Sequence, residues 1–158
     1  MVDSLTPEAR SKNMARIRSR DTGPESLVRR AAHALGLRFR LHRKDLPGTP
    51  DLVLPSRRVA VLVHGCFWHR HKGCRMAYTP KSRVDFWQAK FAGNVERDAR
   101  KLNELAEAGW RPVVIWECET RDPARLRQII LERIMQLPAP PPDQETPGSS
   151  SASAPDPA

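Results

Sequence analysis

The segment from His64 to Cys74, HGCFWHRHKGC, places two cysteines, three histidines and two large aromatic residues within eleven positions. Cys66, His71 and Cys74 form a Cys-x4-His-x2-Cys run, and thiolate and imidazole are the ligands that Zn²⁺ prefers. Three ligands leave one tetrahedral position open, which water fills in a catalytic site and a fourth protein ligand fills in a structural one. Cys118 ends a predicted strand, so we expect it to complete a closed, structural zinc site. The alternative is a loop of ordinary cysteines and a surface histidine.

The other large side chains of this segment are free for a different role if zinc holds the loop. They are Phe67, Trp68 and His69, with His64 at the entrance. Two adjacent aromatic residues on a polar loop of a basic protein favour stacking on bases or insertion between them. Alternatively, one of the two aromatic rings seals the zinc site.

Two acidic residues upstream are candidates for a magnesium site. Asp51 follows a Pro-Gly-Thr-Pro turn at the start of a strand, and Glu25 lies in the first turn of a helix. Together with His69 as a base, they would suit metal-assisted hydrolysis of a phosphodiester if the fold brings them together. Spacing alone leaves two alternatives open, because Glu25 completes a capping box with Thr22 and Asp51 is also a common turn residue.

The charge balance indicates a polyanionic partner. The net charge is +9, and all 27 basic residues but only 15 of the 18 acidic ones precede residue 138, which gives residues 1–137 a charge of +12. Nucleic acid is the commonest partner of such a protein. The alternative explanation of the positive charge is that it serves solubility alone. No apolar run reaches the about eighteen residues of a membrane span, and the N-terminus lacks the pattern of a signal peptide. We therefore expect a cytoplasmic protein without disulfides.

The chain divides into three parts. Residues 1–20 predict a basic arm with a helix capped by Thr6. Residues 21–137 predict the folded domain. Residues 138–158 are rich in Pro, Ser and Ala and have no apolar periodicity, so we expect a disordered tail.

The order of helix and strand patterns in residues 21–137 predicts an α/β fold in which a mixed central sheet is flanked by helices. After a helix that begins at Thr22 and stops at Gly36, the apolar period changes to two. The further predicted elements are a strand through Leu37, Phe39 and Leu41, a strand from Asp51, a strand over Val59 to Val63, a helix over about Val84 to Ala108, the strand WRPVVIWEC and the final helix DPARLRQIILERIMQL.

Four segments carry a resemblance to a known family. RSKNMARIRSRDTGPE, LPGTPDLVLPSRRVAVLVHGCFWHRHKGC, FWQAKFAGNVERD and GWRPVVIWEC resemble the very-short-patch-repair (Vsr) DNA mismatch endonucleases in order and spacing. The resemblance covers about Arg10 to Cys118. It implies a restriction-endonuclease-like fold with a structural zinc, and a Mg²⁺-dependent nick in one DNA strand 5′ to the thymine of a T·G mismatch, the product of 5-methylcytosine deamination.

The resemblance also assigns roles to individual residues. It implies Asp51 as the magnesium ligand with the Val63 backbone carbonyl as a second contact, His69 as general base and Glu25 as supporting acid. His64 would assist with the phosphate. The implied zinc ligands are Cys66, His71, Cys74 and Cys118, with Cys74 one residue later than in the best-known pattern. The implied DNA contacts are Phe67, Trp68 and Trp87 from the major groove, Met14 from the minor groove, and Lys90 and Asn94.

The resemblance also bears on the mechanism and the partners. The strand VAVLVHG lacks the Glu-x-Lys usual in restriction-type nucleases, which fits a mechanism based on His69. The expected enzyme is a monomer acting on double-stranded DNA near the nucleoid of a prokaryote, with coupling to general mismatch-repair proteins left open. Two other functions stay open: a non-catalytic zinc-stabilised DNA-binding module, and a restriction-type nuclease that cuts unmismatched sites.

Overall fold

The computed structural model describes residues 6–9, 12 and 20–136. Within residues 20–136 the chain forms three α-helices and four strands. They are β1 (Arg40–Leu41), β2 (Leu52–Leu54), β3 (Val59–His64), β4 (Arg111–Trp116), α1 (Gly23–Ala34), α2 (Val84–Glu107) and α3 (Pro123–Ile130). Short 3-10 turns follow β2 and β4 at Pro55–Arg57 and Glu117–Thr120, and a π-helical turn, Leu131–Met135, extends α3.

The four strands form one sheet in the order β1-β2-β3-β4. The first two pairings are antiparallel, and β3 pairs with β4 in parallel from Val59 opposite Arg111 to His64 opposite Trp116. A parallel pair needs a long crossover connection, which here contains the cysteine-rich loop and α2. The predicted mixed α/β sheet is confirmed.

The sheet has an apolar core on each face, because β3 is buried on both sides. Val59 and Val61 face a cluster that includes residues of α1 and α3. Ala60 and Leu62 face a second cluster with Leu105 of α2. Alternate residues of a strand point to opposite faces, so one strand joins both layers.

Two predicted elements differ from the structure. The strand predicted through Leu37, Phe39 and Leu41 is only two residues long, and Leu41 is 43% exposed. It is an edge strand, and His42 ends it with a φ of 45°. The predicted final helix is α-helical only to Ile130, and the π-helical turn then lets Ile134 enter the core.

The predicted N-terminal arm and C-terminal tail lie almost entirely outside the described residues. Thr6 is described, and its Oγ1 accepts a hydrogen bond from Ala9 N at 3.2 Å, as expected for a helix cap. Met14 and residues 138–158 are not among the described positions, so their predicted roles stay predictions. No helix within residues 20–136 is long and apolar enough to cross a membrane.

An ion pair fixes the turn that follows β4. The Arg133 guanidinium donates to both carboxylate oxygens of Glu119 at 2.8 and 2.6 Å, and it also donates to Val114 O at 2.9 Å. Glu119 in turn accepts from Trp116 N at 2.9 Å. Arg133 therefore ties the π-helical turn after α3 to the turn that contains Cys118.

Replacing Arg133 by Met should destabilise the fold by about 1–3 kcal/mol, because the largely buried Glu119 carboxylate loses its charged donor. Urea unfolding followed by circular dichroism measures the change. Arg125→Met, at an exposed position of α3, is the control with the same change in charge. Equal stability of the two variants would show that the ion pair contributes nothing.

Candidate active site and zinc-binding loop

The parallel pairing of β3 and β4 brings two functional segments together. His64 and Trp116 are opposite each other at the carboxyl ends of these strands. The loop with Cys66 to Cys74 leaves β3 at this edge, and the turn with Cys118 leaves β4 beside it. As predicted from the sequence, Cys118 therefore reaches the cysteine-rich loop.

The four predicted zinc ligands form one cluster. One donor atom from each of Cys66, His71, Cys74 and Cys118 lies within 4.8 Å of the others. His71 Nδ1 is 3.6 Å from Cys66 Sγ and 3.3 Å from Cys118 Sγ. A tetrahedral zinc with its usual bond lengths would separate sulfur from nitrogen by about 3.5 Å. The donor set and its spacing therefore fit Zn²⁺.

Contacts outside the cluster hold its shape. The Trp116 ring stacks on His71 with centroids 4.3 Å apart and planes at 9°. Cys66 N donates to Glu117 Oε2 at 3.3 Å, and Cys118 N donates to Cys66 Sγ at 3.4 Å. Burial raises the pKa of the Cys66 thiol to about 12, so a bound cation is what would favour its thiolate.

The loop's aromatic residues pack together and are not isolated on the surface. Phe67 contacts the rings of Trp68, Tyr78, Trp87 and Phe91 at centroid distances of 5.0 to 5.6 Å. Phe67 and Trp68 stay half-buried, whereas Trp87 is only 8% exposed. Trp87 therefore packs against both loop aromatics, which themselves keep part of their surface exposed.

A cavity of about 970 Å³ lies beside this loop. Its lining includes every predicted catalytic residue together with polar side chains of α2. The lining residues that matter here are Glu25, Asp51, Val63, His64, His69, Trp68, Lys90, Asn94, Asp98 and Lys101. The fold thus brings together the acids and the histidine that sequence spacing alone left apart.

Asp51 enters this cavity as a partly buried carboxylate, with 17% of its side chain exposed. Its Oδ2 accepts a hydrogen bond from Val63 N at 2.7 Å, which ties it to β3. Burial raises the pKa of the Asp51 carboxyl to about 6, and the nearby Glu25 carboxylate contributes to the rise while the Val63 amide opposes it. Two carboxylates in one partly enclosed site fit a cation, and Mg²⁺ prefers oxygen ligands.

His69 forms the second half of the site with an acid that was not predicted from the sequence. Its Nδ1 donates to Asp98 Oδ2 at 2.6 Å, which leaves Nε2 as the basic nitrogen. His64 stacks on the His69 ring at 4.0 Å, and burial, helped by the positive charge that His69 can carry, lowers the pKa of His64 to about 4. The pair therefore combines one oriented base with one neutral imidazole.

Asp98 has a signal in the sequence that could have identified it. Lys90, Asn94, Asp98 and Lys101 recur at the spacing of one helical face, and that face of α2 lines the cavity. The family resemblance implies DNA contacts for Lys90 and Asn94. In the structure the Asn94 amide donates to Trp68 O at 2.9 Å, so it anchors the aromatic loop.

Glu25 takes part in the cap of α1 and also faces the cavity, but only the Thr22 half of the predicted capping box is formed. Its backbone N donates to Thr22 Oγ1 at 3.4 Å, while its carboxylate accepts from Asp21 N at 2.9 Å. Arg29, one turn later on α1, donates to the same carboxylate at 3.2 Å. Glu25 can therefore contribute to the helix cap and be an acid of the cavity at the same time.

Sequence comparisons find similar proteins of known description. A family model described as DNA mismatch endonuclease Vsr matches residues 2–75. Similar curated proteins include the type II nicking enzyme V.XorIIP of Xanthomonas oryzae pv. oryzae, 54% identical over 82% of this chain and 98% of its own length. The DNA mismatch endonuclease Vsr of Escherichia coli is 40% identical over 85% of this chain and 86% of its own length. The type II nicking enzyme V.NmeAIP of Neisseria meningitidis is 41% identical over 87% of this chain and 97% of its own length.

The raised pKa of Asp51 predicts a pH-dependent gain in stability for Asp51→Asn. With a pKa of about 6 in the fold against 3.8 unfolded, the native protein binds more protons between these values, so its stability falls as pH rises through this window. The neutral amide of the variant has no such penalty, and its oxygen can still accept from Val63 N. We expect a gain of about 1–3 kcal/mol at pH 7.5 in EDTA that disappears below about pH 4.

Urea unfolding from pH 3.5 to 8 measures this gain, with Glu104→Gln, an exposed position on α2, as the charge-matched control. A gain that is the same at all pH values, or absent at pH 7.5, would contradict the assigned environment of Asp51.

Proposed function

Because the chain belongs to the Vsr family of DNA mismatch endonucleases, we propose that it nicks one strand of duplex DNA 5′ to the thymine of a T·G mismatch. The enzyme is a DNA endonuclease, a hydrolase of the phosphodiester bond. In this proposal it works as a cytoplasmic monomer on chromosomal DNA and starts very-short-patch repair of deaminated 5-methylcytosine. Coupling to general mismatch-repair proteins stays an open part of the proposal.

One observation carries the proposal. The partly buried Asp51 carboxylate and the His69–Asp98 pair line the same cavity, and the half-buried ring of Trp68 lines it too. A metal ligand, a base and a stacking residue are what cleavage beside a deformed base pair needs.

Asp51 and the Val63 backbone carbonyl are the proposed magnesium ligands. Bound there, Mg²⁺ would stabilise the negative charge that develops on the phosphate oxygens. Val63 N already binds the Asp51 carboxylate at 2.7 Å, so the two residues form one rigid unit at the end of β3. Glu25 adds negative charge to the cavity that favours a cation.

His69 is the proposed general base. Its Nδ1 proton is engaged by Asp98, so Nε2 is free to accept a proton from the attacking water. Asp98 then stabilises the imidazolium that results, in the same way as the acid of other oriented histidine pairs. His64 packs flat against the ring and restricts its rotation, and in this proposal it also contacts the phosphate.

Mismatch selection rests on the aromatic loop and the basic charge. Phe67 and Trp68 would wedge into the stack from the major groove, where a weakly paired T·G step lowers the cost of unstacking. Trp87 supports them, and Lys90, whose Nζ lies 5.9 Å from the Trp68 ring centroid, would contact the backbone. Met14 is the proposed contact from the minor groove, and the +12 charge of residues 1–137 would make binding strongly salt-dependent.

The zinc in this proposal is structural. Cys66, His71, Cys74 and Cys118 would supply all four donors of a tetrahedral ion, which would leave no coordination site for water or substrate. Its role is to hold the loop on which Phe67, Trp68 and His69 stand.

Asp51→Ala should abolish Mg²⁺-dependent nicking of a T·G duplex and leave its binding largely intact, because the variant loses the metal ligand but not the DNA-contacting surface. Gel assays on strand-labelled T·G, T·A and C·G duplexes measure nicking, and fluorescence anisotropy measures binding. Glu104→Ala is the control at an exposed acid.

Three results would contradict the proposal in different ways. Binding of the T·G duplex without nicking by the wild type would indicate a DNA-binding module. Equal nicking of matched duplexes would indicate a restriction-type nuclease. Nicking by Asp51→Ala at the wild-type rate would remove Asp51 from the mechanism.

Cys118→Ser should lower the zinc content from about one per chain and reduce thermal stability, because the remaining three ligands cannot close the tetrahedron. Metal analysis and thermal unfolding measure the two effects. The exposed Thr79→Ser is a conservative control in the adjoining loop. A full zinc content with unchanged stability would show that Cys118 is not a ligand.

A further inference from the structure

Two residues that the proposed function does not use connect α1 to the candidate magnesium ligand. Arg29 extends from α1, and its Nη2 lies 2.9 Å from His42 Nε2. On the other side of the imidazole ring, His42 Nδ1 faces Asp51 Oδ1 at 3.9 Å. The His42 side chain is only 14% exposed, so it lies inside the structure between these two groups.

The contact with Arg29 fixes the tautomer of His42. A guanidinium only donates hydrogen bonds, so Nε2 at 2.9 Å acts as an acceptor. The two Nη2 hydrogens are shared among this nitrogen and the Asp21 and Glu25 carboxylates at 2.8 and 3.2 Å, which lie 3.6 and 3.7 Å from Nε2. A neutral imidazole that accepts at Nε2 carries its proton on Nδ1. The N–H bond of His42 is therefore on the side of the ring that faces the Asp51 carboxylate.

The backbone holds His42 in this place. Its N–H donates to the backbone carbonyl of Asp51 at 3.3 Å, which continues the pairing of β1 with β2. Its φ of 45° lies in the left-handed region, which is sterically unfavourable for residues other than glycine. Such strain persists where the surrounding contacts determine the conformation.

The same cluster is not a second metal site. Donor atoms of Asp21, Glu25 and His42 lie close enough together to suggest one. Arg29 Nη2, however, lies 2.8 Å from Asp21 Oδ1, 3.2 Å from Glu25 Oε2 and 2.9 Å from His42 Nε2. Arg29 already occupies the place between the two acids, and its guanidinium charge would repel a metal ion there.

We propose that His42 is a positioning residue for Asp51, and that Arg29 makes it one by fixing the proton on Nδ1. Val63 N holds one carboxylate oxygen at 2.7 Å, and the Nδ1–H dipole of His42 orients the other, Oδ1. The distance of 3.9 Å is longer than a hydrogen bond, so this orientation is electrostatic. So oriented, Oδ1 would present a lone pair to the metal.

This inference rests on the proposed function, because it assigns His42 to the metal ligand of that reaction. Groups that orient a metal-binding carboxylate typically change metal affinity about 10- to 100-fold when removed. His42→Leu removes the Nδ1 donor, and His42→Gln supplies an amide that can accept from Arg29 and donate towards Asp51. Arg29→Met leaves the His42 side chain in place but removes the donor that fixes its tautomer.

The experiment measures nicking of a T·G duplex against Mg²⁺ concentration, and separately the rise in melting temperature that Mg²⁺ causes without DNA. We expect His42→Leu to need about tenfold more Mg²⁺ in both assays, with its duplex affinity in EDTA unchanged. Arg29→Met should shift in the same direction, and His42→Gln should keep the wild-type Mg²⁺ dependence. His33→Leu, an exposed histidine of α1, is the matched control.

The outcomes separate this inference from the proposed function. A wild type that never nicks the T·G duplex would overturn the proposed function. A wild type that nicks, together with a His42→Leu variant of unchanged Mg²⁺ dependence, would overturn the role of His42 alone. If His42→Leu does not fold, the other two variants test the inference. An Arg29→Met variant with the wild-type Mg²⁺ dependence would contradict it. A His42→Gln variant that needs about tenfold more Mg²⁺ would contradict it as well.

Discussion

The parallel pairing of β3 with β4 is the constraint on which the site depends. It puts His64 opposite Trp116 and so brings the cysteine-rich loop after one strand against the turn after the other. The Trp116 ring then stacks on His71 of the cysteine cluster and contacts His64 edge-on at 5.4 Å. One strand pair therefore positions both the cluster that fits zinc and the histidines beside the cavity.

This arrangement lets one loop contain both the candidate zinc ligands and the residues proposed to act on DNA. Four donor atoms that hold a zinc ion would immobilise the loop, so its neighbouring residues could keep orientations that a free loop would lose to conformational entropy. Phe67 and Trp68 rest on the aromatic side chains of α2, and His69 points to Asp98 on the same helix. The long helix thus supports the proposed DNA wedge on one part of its length and the proposed base on another.

The acids on the opposite wall of the cavity are held by a separate set of contacts. Asp51 is fixed by β3 through Val63 N, whereas Glu25 and Arg29 belong to the first turns of α1. His42 lies between the two parts of this network, and its strained backbone places it there. Partial burial of Asp51 costs stability at neutral pH, a cost that its proposed role as a cation ligand would explain.

The sequence by itself determined the residue types of both proposed metal-binding sets and most of the elements. Cysteine and histidine at short spacing predicted a zinc site, apolar periodicity predicted α1, α2 and the buried β3, and four motifs identified the family. Tertiary structure decided what depends on distances between separate segments. These are the burial of Trp87, the pairing of Asp98 with His69, and the contacts of Arg29 with His42 beside Asp51. No local pattern encodes these contacts, because each joins elements whose relative position is set only when the two faces of the sheet are packed.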